Sequence, residues 1–262
     1  MEVWAIANQK GGVGKTTSAV SLAGVLSQQG KSVLLVDLDP HGSMSAYFKL
    51  DPDTQDPSVY HLFQTPRLPI DDLMIETNIE NTKLIPASTA IATLDRQLGT
   101  QEGKGLVIKK GLDACEAQFD YCLIDCPPLL GILMVNALAA ASKLLVPVQT
   151  EFLAIKGLER MLHTLNMILR ARKDPLDYLI VPTMFDRRTR AAIESLRQLR
   201  ESYGEHIWEG VIPVDTKFRE ASRRGLPITH LAASSRGAKS YYALLNKLTL
   251  PGNVTSITAM GR

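Results

Sequence analysis

The chain has little cysteine, no long apolar run and almost no net charge, and each scarcity excludes something. Three cysteines in 262 residues, Cys115, Cys122 and Cys126, are an odd number without the paired spacing of a zinc site. They exclude a disulfide scaffold and fit reduced thiols in a cytosolic protein. No apolar run approaches the roughly 18 residues that a membrane-crossing helix needs. The N-terminus carries no charged segment followed by an apolar one, which argues against secretion. The formal net charge is only +2, but it is unevenly spread. Residues 187–239 hold 11 Lys/Arg against 6 Asp/Glu, a balance of +5, while the remainder holds 18 against 21, a balance of −3. That basic excess is either an electrostatic footprint for nucleic acid or an ordinary solvated helix face.

What is present is a chain rich enough in apolar residues, 45%, to bury a substantial core as a single α/β domain. Short continuous apolar runs read as buried parallel strands at 2–8, 32–37, 83–86, 121–125, 143–148, 178–183 and 207–212. Helical stretches are expected at 15–29, 88–98, 104–118, 130–141, 155–172, 189–202 and 237–248. This alternation predicts a sheet covered by helices on both faces. Residues 51–72, rich in Asp and Pro, read as a surface excursion with short helices. The stretch 249–262, with Pro251 and Gly252, reads as a loose tail beyond a domain of residues 1–248.

The most informative segment is Lys10-Gly-Gly-Val-Gly-Lys-Thr-Thr17. It follows the apolar run Val3–Ala7 and precedes a helix-like run, the order strand, glycine loop, helix. Such a loop leaves backbone N–H groups free to wrap phosphate oxygens, and the helix N-terminus adds positive potential. Gly11, Gly12 and Gly14 permit the close approach, Lys15 would neutralise β- and γ-phosphates, and Thr16 is placed to hold Mg²⁺ through its hydroxyl. The general P-loop pattern has a glycine where this chain has Gln9. In its place comes an extra lysine, Lys10, able to reach developing negative charge. Asp37 and Asp125 end apolar runs, where an unpaired carboxylate is costly. Mg²⁺, its waters or the Lys15/Thr16 pair would satisfy them. In open α/β sheets ligands bind at the carboxyl ends of the strands, and loop, Asp37, Asp39 and Asp125 all converge there.

The loop resembles the deviant Walker A of the ParA/MinD ATPases. Val36-Asp-Leu-Asp-Pro-His-Gly42 is similar to the VDxDPQG segment of that family, with His41 where glutamine is usual. Leu123-Ile-Asp-Cys-Pro-Pro128 is similar to its Walker B. Asn136–Leu138, Pro147–Glu151 and Thr183–Asp186 also match, so the resemblance covers residues 2–248. It implies a P-loop NTPase fold, a mostly parallel twisted sheet with helices on both faces. It further implies ATP and Mg²⁺ bound by Lys10, Gly11, Gly12, Val13, Gly14, Lys15, Thr16 and Thr17, with Thr16, Asp37 and Asp125 around the metal. Lys10, Lys15 and Asp39 would be catalytic: Lys10 crosses a homodimer interface to the partner's nucleotide, and Asp39 positions the attacking water. Adenine contacts fall by position on Asp186, Pro213 and Asp215.

Without an N-terminal helix-turn-helix domain, the chain resembles the small, Soj-like ParA proteins. The resemblance implies non-specific DNA binding by the ATP dimer, with Lys217, Arg219, Arg223 and Arg224 as candidate phosphate contacts. It also implies slow hydrolysis stimulated by a partner, either ParB-like or a cargo adaptor, and a cytoplasmic location on the nucleoid or at a pole. Lys217-Phe-Arg-Glu-Ala-Ser-Arg-Arg departs from the usual Arg-Leu-Ser-Glu-Ala-Pro run, so two cargoes stay open. One is plasmid or chromosome DNA; the other is a protein assembly such as a chemotaxis array or flagellar machinery. A small-molecule ligase is a third reading. The cysteines, set in a strand and the Walker B segment, do not suit an iron–sulfur cluster. The C-terminal stretch lacks the basic amphipathic helix of MinD, so direct membrane binding is not expected.

Overall fold

The computed structural model describes residues 1–64, 66–98, 104–169, 172 and 175–250. Seven strands form one sheet: β1 Glu2–Ile6, β2 Val33–Asp37, β3 Ile75–Glu76, β4 Thr82–Ile85, β5 Tyr121–Asp125, β6 Lys143–Gln149 and β7 Asp177–Thr183. The order is β3-β4-β2-β5-β1-β6-β7, parallel throughout except for β3 against β4. The α-helices are α1 Lys15–Gln28, α2 Ser43–Tyr47, α3 Ile91–Leu98, α4 Val107–Ala114, α5 Ile132–Ala140, α6 Phe152–Leu169, α7 Arg190–Tyr203, α8 Lys217–Arg224, α9 Ile228–Leu231 and α10 Arg236–Thr249. None of them is long and apolar enough to cross a membrane.

The strands are apolar on both sides because both sides are covered. Along β1, Val3 and Ala5 face one core with Ile108, Leu133 and Leu158 of α4, α5 and α6. Trp4 and Ile6 face the other, with Leu22 of α1 and Leu244 of α10. Cys115, Cys122 and Cys126 are free thiols buried on the first side. Helix α1 lies so close to the segment before α9 that a Cβ on Gly24 would meet Pro227 Cβ at 2.5 Å. A mid-helix glycine costs about 1 kcal/mol against alanine, so the close approach is what it secures.

Most expected elements form within a few residues of their anticipated ends, with two kinds of exception. Residues 207–212 are not a strand. They meet β7 at the two ends of the run, through an isolated bridge of Ile207 to Ile180 and through Ile212 N, which donates to Pro182 O at 2.8 Å; just beyond, Phe185 bridges to Pro213. Between these the chain bends at Glu209–Gly210, and the Trp208 ring occupies the space where a Gly210 Cβ would lie. The short elements β3, α2, α8 and α9 were not anticipated, because two to eight residues carry too little periodicity. The 51–72 excursion does hold short 3₁₀ helices, Val59–Phe63 and Ile70–Leu73. Of the expected tail, residues 251–262 lie outside the described residues; Thr249 still belongs to α10.

Candidate functional site

The parallel register carries Asp37 at the end of β2 beside Asp125 at the end of β5, and Asp125 beside Ile6 at the end of β1. The glycine loop leaves β1 at this point. Asn8 fastens its entry: Nδ2 donates to the Pro147 carbonyl at 2.7 Å, and Oδ1 accepts from Lys10 N at 2.9 Å. Val13 is fully buried, and its carbonyl accepts from Thr183 Oγ1 at 2.9 Å. Gly12 and Gly14 have φ of +74° and +94°, the left-handed region where a Cβ is strained. No side chain among the described residues caps the first turn of α1, so its N–H groups are available to an anion.

The resulting cleft, about 530 Å³, is lined by Gly11, Gly12, Gly14, Lys15, Thr16, Thr17, Asp39, His41, Ser43, Pro128 and Met184. Lys15 is buried and makes no ion pair among the described residues. Beneath it, Thr16 Oγ1 donates to Asp125 Oδ2 at 2.5 Å. The other carboxylate oxygen, Asp125 Oδ1, is buried without a partner among the described residues. Asp37 is better satisfied: Oδ2 accepts from Ser45 N and Oγ, each at 2.8 Å, and Oδ1 accepts from Asp39 N at 3.3 Å.

Burial holds the Asp37 and Asp125 carboxyls well above the usual carboxylate range; for Asp125, the neighbouring Asp37 charge pushes the same way. A buried orphan oxygen beside a hydroxyl and a second carboxylate fits a small hard cation. Magnesium needs only one or two carboxylates when phosphates supply the rest. No cluster of three His, Cys, Asp or Glu able to hold a metal exists among the described residues. A cation here would therefore depend on a phosphorylated ligand.

These carboxyls predict a pH response. Their folded-state affinity for protons exceeds that of the unfolded chain, so the folded form binds more protons between pH about 4 and about 8. Without ligand, stability falls as pH rises through that window. Asp125→Asn removes one of these groups and should flatten the slope in urea unfolding followed from pH 5 to about 8. An unchanged slope would mean that Asp125 titrates normally.

The anticipated residues do not all meet in the cleft. Lys10 turns away from it: its ammonium pairs with Glu151, just past β6, and donates at 3.2 Å to Oε1 of Gln149, the last residue of that strand. Asp186, Pro213 and Asp215 do not line it. Asp186 pairs with Arg188 at 2.7 Å, and Asp215 accepts from Lys217 N at 2.9 Å and Gly237 N at 3.1 Å. Their segments are joined nonetheless, through Phe185 N to Ile212 O and Val214 N to Phe185 O, both 3.1 Å. Lys217, Arg219, Arg223 and Arg224 share α8, where Glu220 pairs with Lys217 at 2.8 Å and Arg224 at 3.1 Å. Arg219 and Arg223, four residues apart and exposed, make no ion pair among the described residues. Sequence reasoning gave no role to Met184, Ser45 or Glu151. The matched stretch Pro147–Glu151 was the available signal for Glu151.

Comparison with known proteins agrees with this geometry. A family described as AAA domain matches residues 1–178. The chromosome-partitioning ATPase Soj of Treponema pallidum is 38% identical over 242 residues, covering 92% of this chain and 94% of that one. The sporulation initiation inhibitor protein Soj of Bacillus subtilis is 33% identical over 252 residues, 96% of this chain and 99% of that one. Among solved structures, a cobyrinic acid a,c-diamide synthase from Mycobacterium smegmatis, with bound ATP analogue and magnesium, superposes with TM-score 0.83. It is 31% identical and matches over 98% of this chain and 100% of that one. Near-full-length identity of this order, with the glycine loop and the paired strand-end aspartates in place, makes the chain a member of the ParA/Soj family of partition ATPases.

Proposed function

We propose that the chain binds ATP with Mg²⁺ in the cleft, closes as a nucleotide-sandwich homodimer on DNA, and hydrolyses ATP slowly to partition that DNA. One observation carries this reading: Lys15, Thr16 and Asp39 line a single cleft, and Thr16 is hydrogen-bonded to Asp125, whose other oxygen has no partner among the described residues. The loop N–H groups and Lys15 hold the β- and γ-phosphates. Thr16, Asp125 and, through the Ser45-anchored carboxyl, Asp37 hold the cation. Bound Mg²⁺ would neutralise charge on the phosphates. Asp39 orients the attacking water.

Lys10 acts on the neighbour's nucleotide, so dimer closure must break its pairing with Glu151. A partly exposed ion pair of this kind contributes only about 0–1 kcal/mol, so breaking it is a small cost. ATP thus sets the lifetime of the dimer, and hydrolysis, accelerated by a ParB-like partner or cargo adaptor, ends it.

The DNA face is α8. Arg219 and Arg223 are free to meet phosphates, whereas Glu220 already engages Lys217 and Arg224. The Arg219→Glu/Arg223→Glu double variant should retain ATP hydrolysis but lose about 10-fold or more in DNA affinity, with a shallower salt dependence. Gel-shift titration of random-sequence duplex at two salt concentrations, with ATP, ADP and no nucleotide, measures this. Binding that ignores nucleotide, or no binding with ATP, would refute DNA as the track.

A further inference from the structure

We infer that His41 is a positioning residue for hydrolysis, holding Asp39 through its Nδ1 so that the other carboxylate oxygen is presented to the attacking water. The inference rests on the nucleotide reading above and deepens it. Asp39 is the one carboxylate that lines the cleft among the described residues. Its side chain is 9% exposed, so what it can reach depends on how it is held. One oxygen, Oδ1, accepts twice from the same residue: His41 N at 3.0 Å and His41 Nδ1 at 2.8 Å. No hydrogen bond to Oδ2 occurs among the described residues.

An ionised carboxylate only accepts, so Nδ1 of His41 carries the proton in this pair. The backbone contact alone leaves the carboxyl free to rotate about χ2, which is a soft, roughly two-fold torsion. The ring adds the second donor that fixes which oxygen is engaged. His41 is itself 77% exposed and lines the same cleft, so its ring serves no core.

In the reaction the water oxygen bonds to the γ-phosphorus as the bond from that phosphorus to the bridging oxygen breaks. ADP leaves with the electron pair, and the water gives a proton to a phosphate oxygen. Asp39 Oδ2 accepts a hydrogen bond from that water. A water misplaced by about 1 Å costs up to about 100-fold in rate.

Turnover of Mg-ATP and affinity for the non-hydrolysable analogue AMPPNP are to be measured for the unmodified chain, His41→Ala, His41→Asn and Asp39→Ala. His41→Ala should lower kcat about 10- to 100-fold, with KM and AMPPNP affinity within about twofold. His41→Asn, whose amide N–H reaches the place of Nδ1–H, should recover kcat to within about threefold of the unmodified chain. Normal turnover of His41→Ala beside a slow Asp39→Ala overturns the inference, as does a proportionate loss of AMPPNP affinity or a His41→Asn as slow as His41→Ala. Normal turnover of Asp39→Ala instead overturns the underlying assignment of Asp39, and this inference with it.

Discussion

Lys15→Gln is expected to abolish productive ATP binding while leaving the fold intact. Lys15 is buried at the first position of α1, and its ammonium has no carboxylate partner among the described residues. Such a charge is costly unless something pairs with it. A triphosphate seated on the free N–H groups of the first turn supplies that charge. Removing one member of a desolvated charged contact costs about 2–5 kcal/mol, which corresponds to a loss of roughly 30-fold to several thousand-fold in affinity. Titration with a fluorescent ATP analogue reads the loss, and circular dichroism checks that the variant is folded. Affinity within twofold of the unmodified chain would remove Lys15 from the site and leave the glycine loop as a structural turn. The fold should tolerate the change, because glutamine keeps most of the length and the neighbouring Asp125 remains bonded to Thr16.

The second large effect separates binding from chemistry. Asp39→Ala should leave ATP affinity nearly unchanged and lower turnover by about 100-fold or more, in the range for loss of a group that acts on the nucleophile. Asp39 lines the cleft but, unlike Lys15, carries no positive charge for a phosphate. It sits two residues after Asp37, whose carboxyl is tied to Ser45; Asp39→Ala keeps the backbone contact of residue 39 N to Asp37 Oδ1 at 3.3 Å and loses only the side-chain contacts that Oδ1 accepts from His41 N and Nδ1. If ATP holds the dimer together and hydrolysis releases it, this variant should accumulate as an ATP-loaded dimer. Light scattering with Mg-ATP reads that directly. A variant that hydrolyses normally, or that is slow yet stays a single chain with saturating ATP, would break the link between Asp39 and the lifetime of the dimer.

The sequence by itself determined the order of strand, glycine loop and helix, because local chemistry writes each part. Val3–Ala7 is apolar on both faces, Gly12 and Gly14 suit positive φ, and Lys15 begins a helical run whose residues are mostly buried. The same holds for β2 and β5, each a short buried run ending in an aspartate. The tertiary structure alone decided what depends on register and on side chains far apart in the chain. The juxtaposition of Asp37 and Asp125 is set by strand pairing across 88 positions. The pairing of Lys10 with Glu151 spans 141 positions, and no local pattern names Glu151 as its partner within the chain. Residues 207–212 show the converse. An apolar run reads as a strand, yet with the Trp208 ring over Gly210 and a bend at Glu209 it meets β7 at Ile207 and Ile212 and forms no continuous ladder between them. Local energetics fixed the backbone near the loop; which charges stand together was fixed by packing, since Coulomb interaction depends on distance in space and not along the chain.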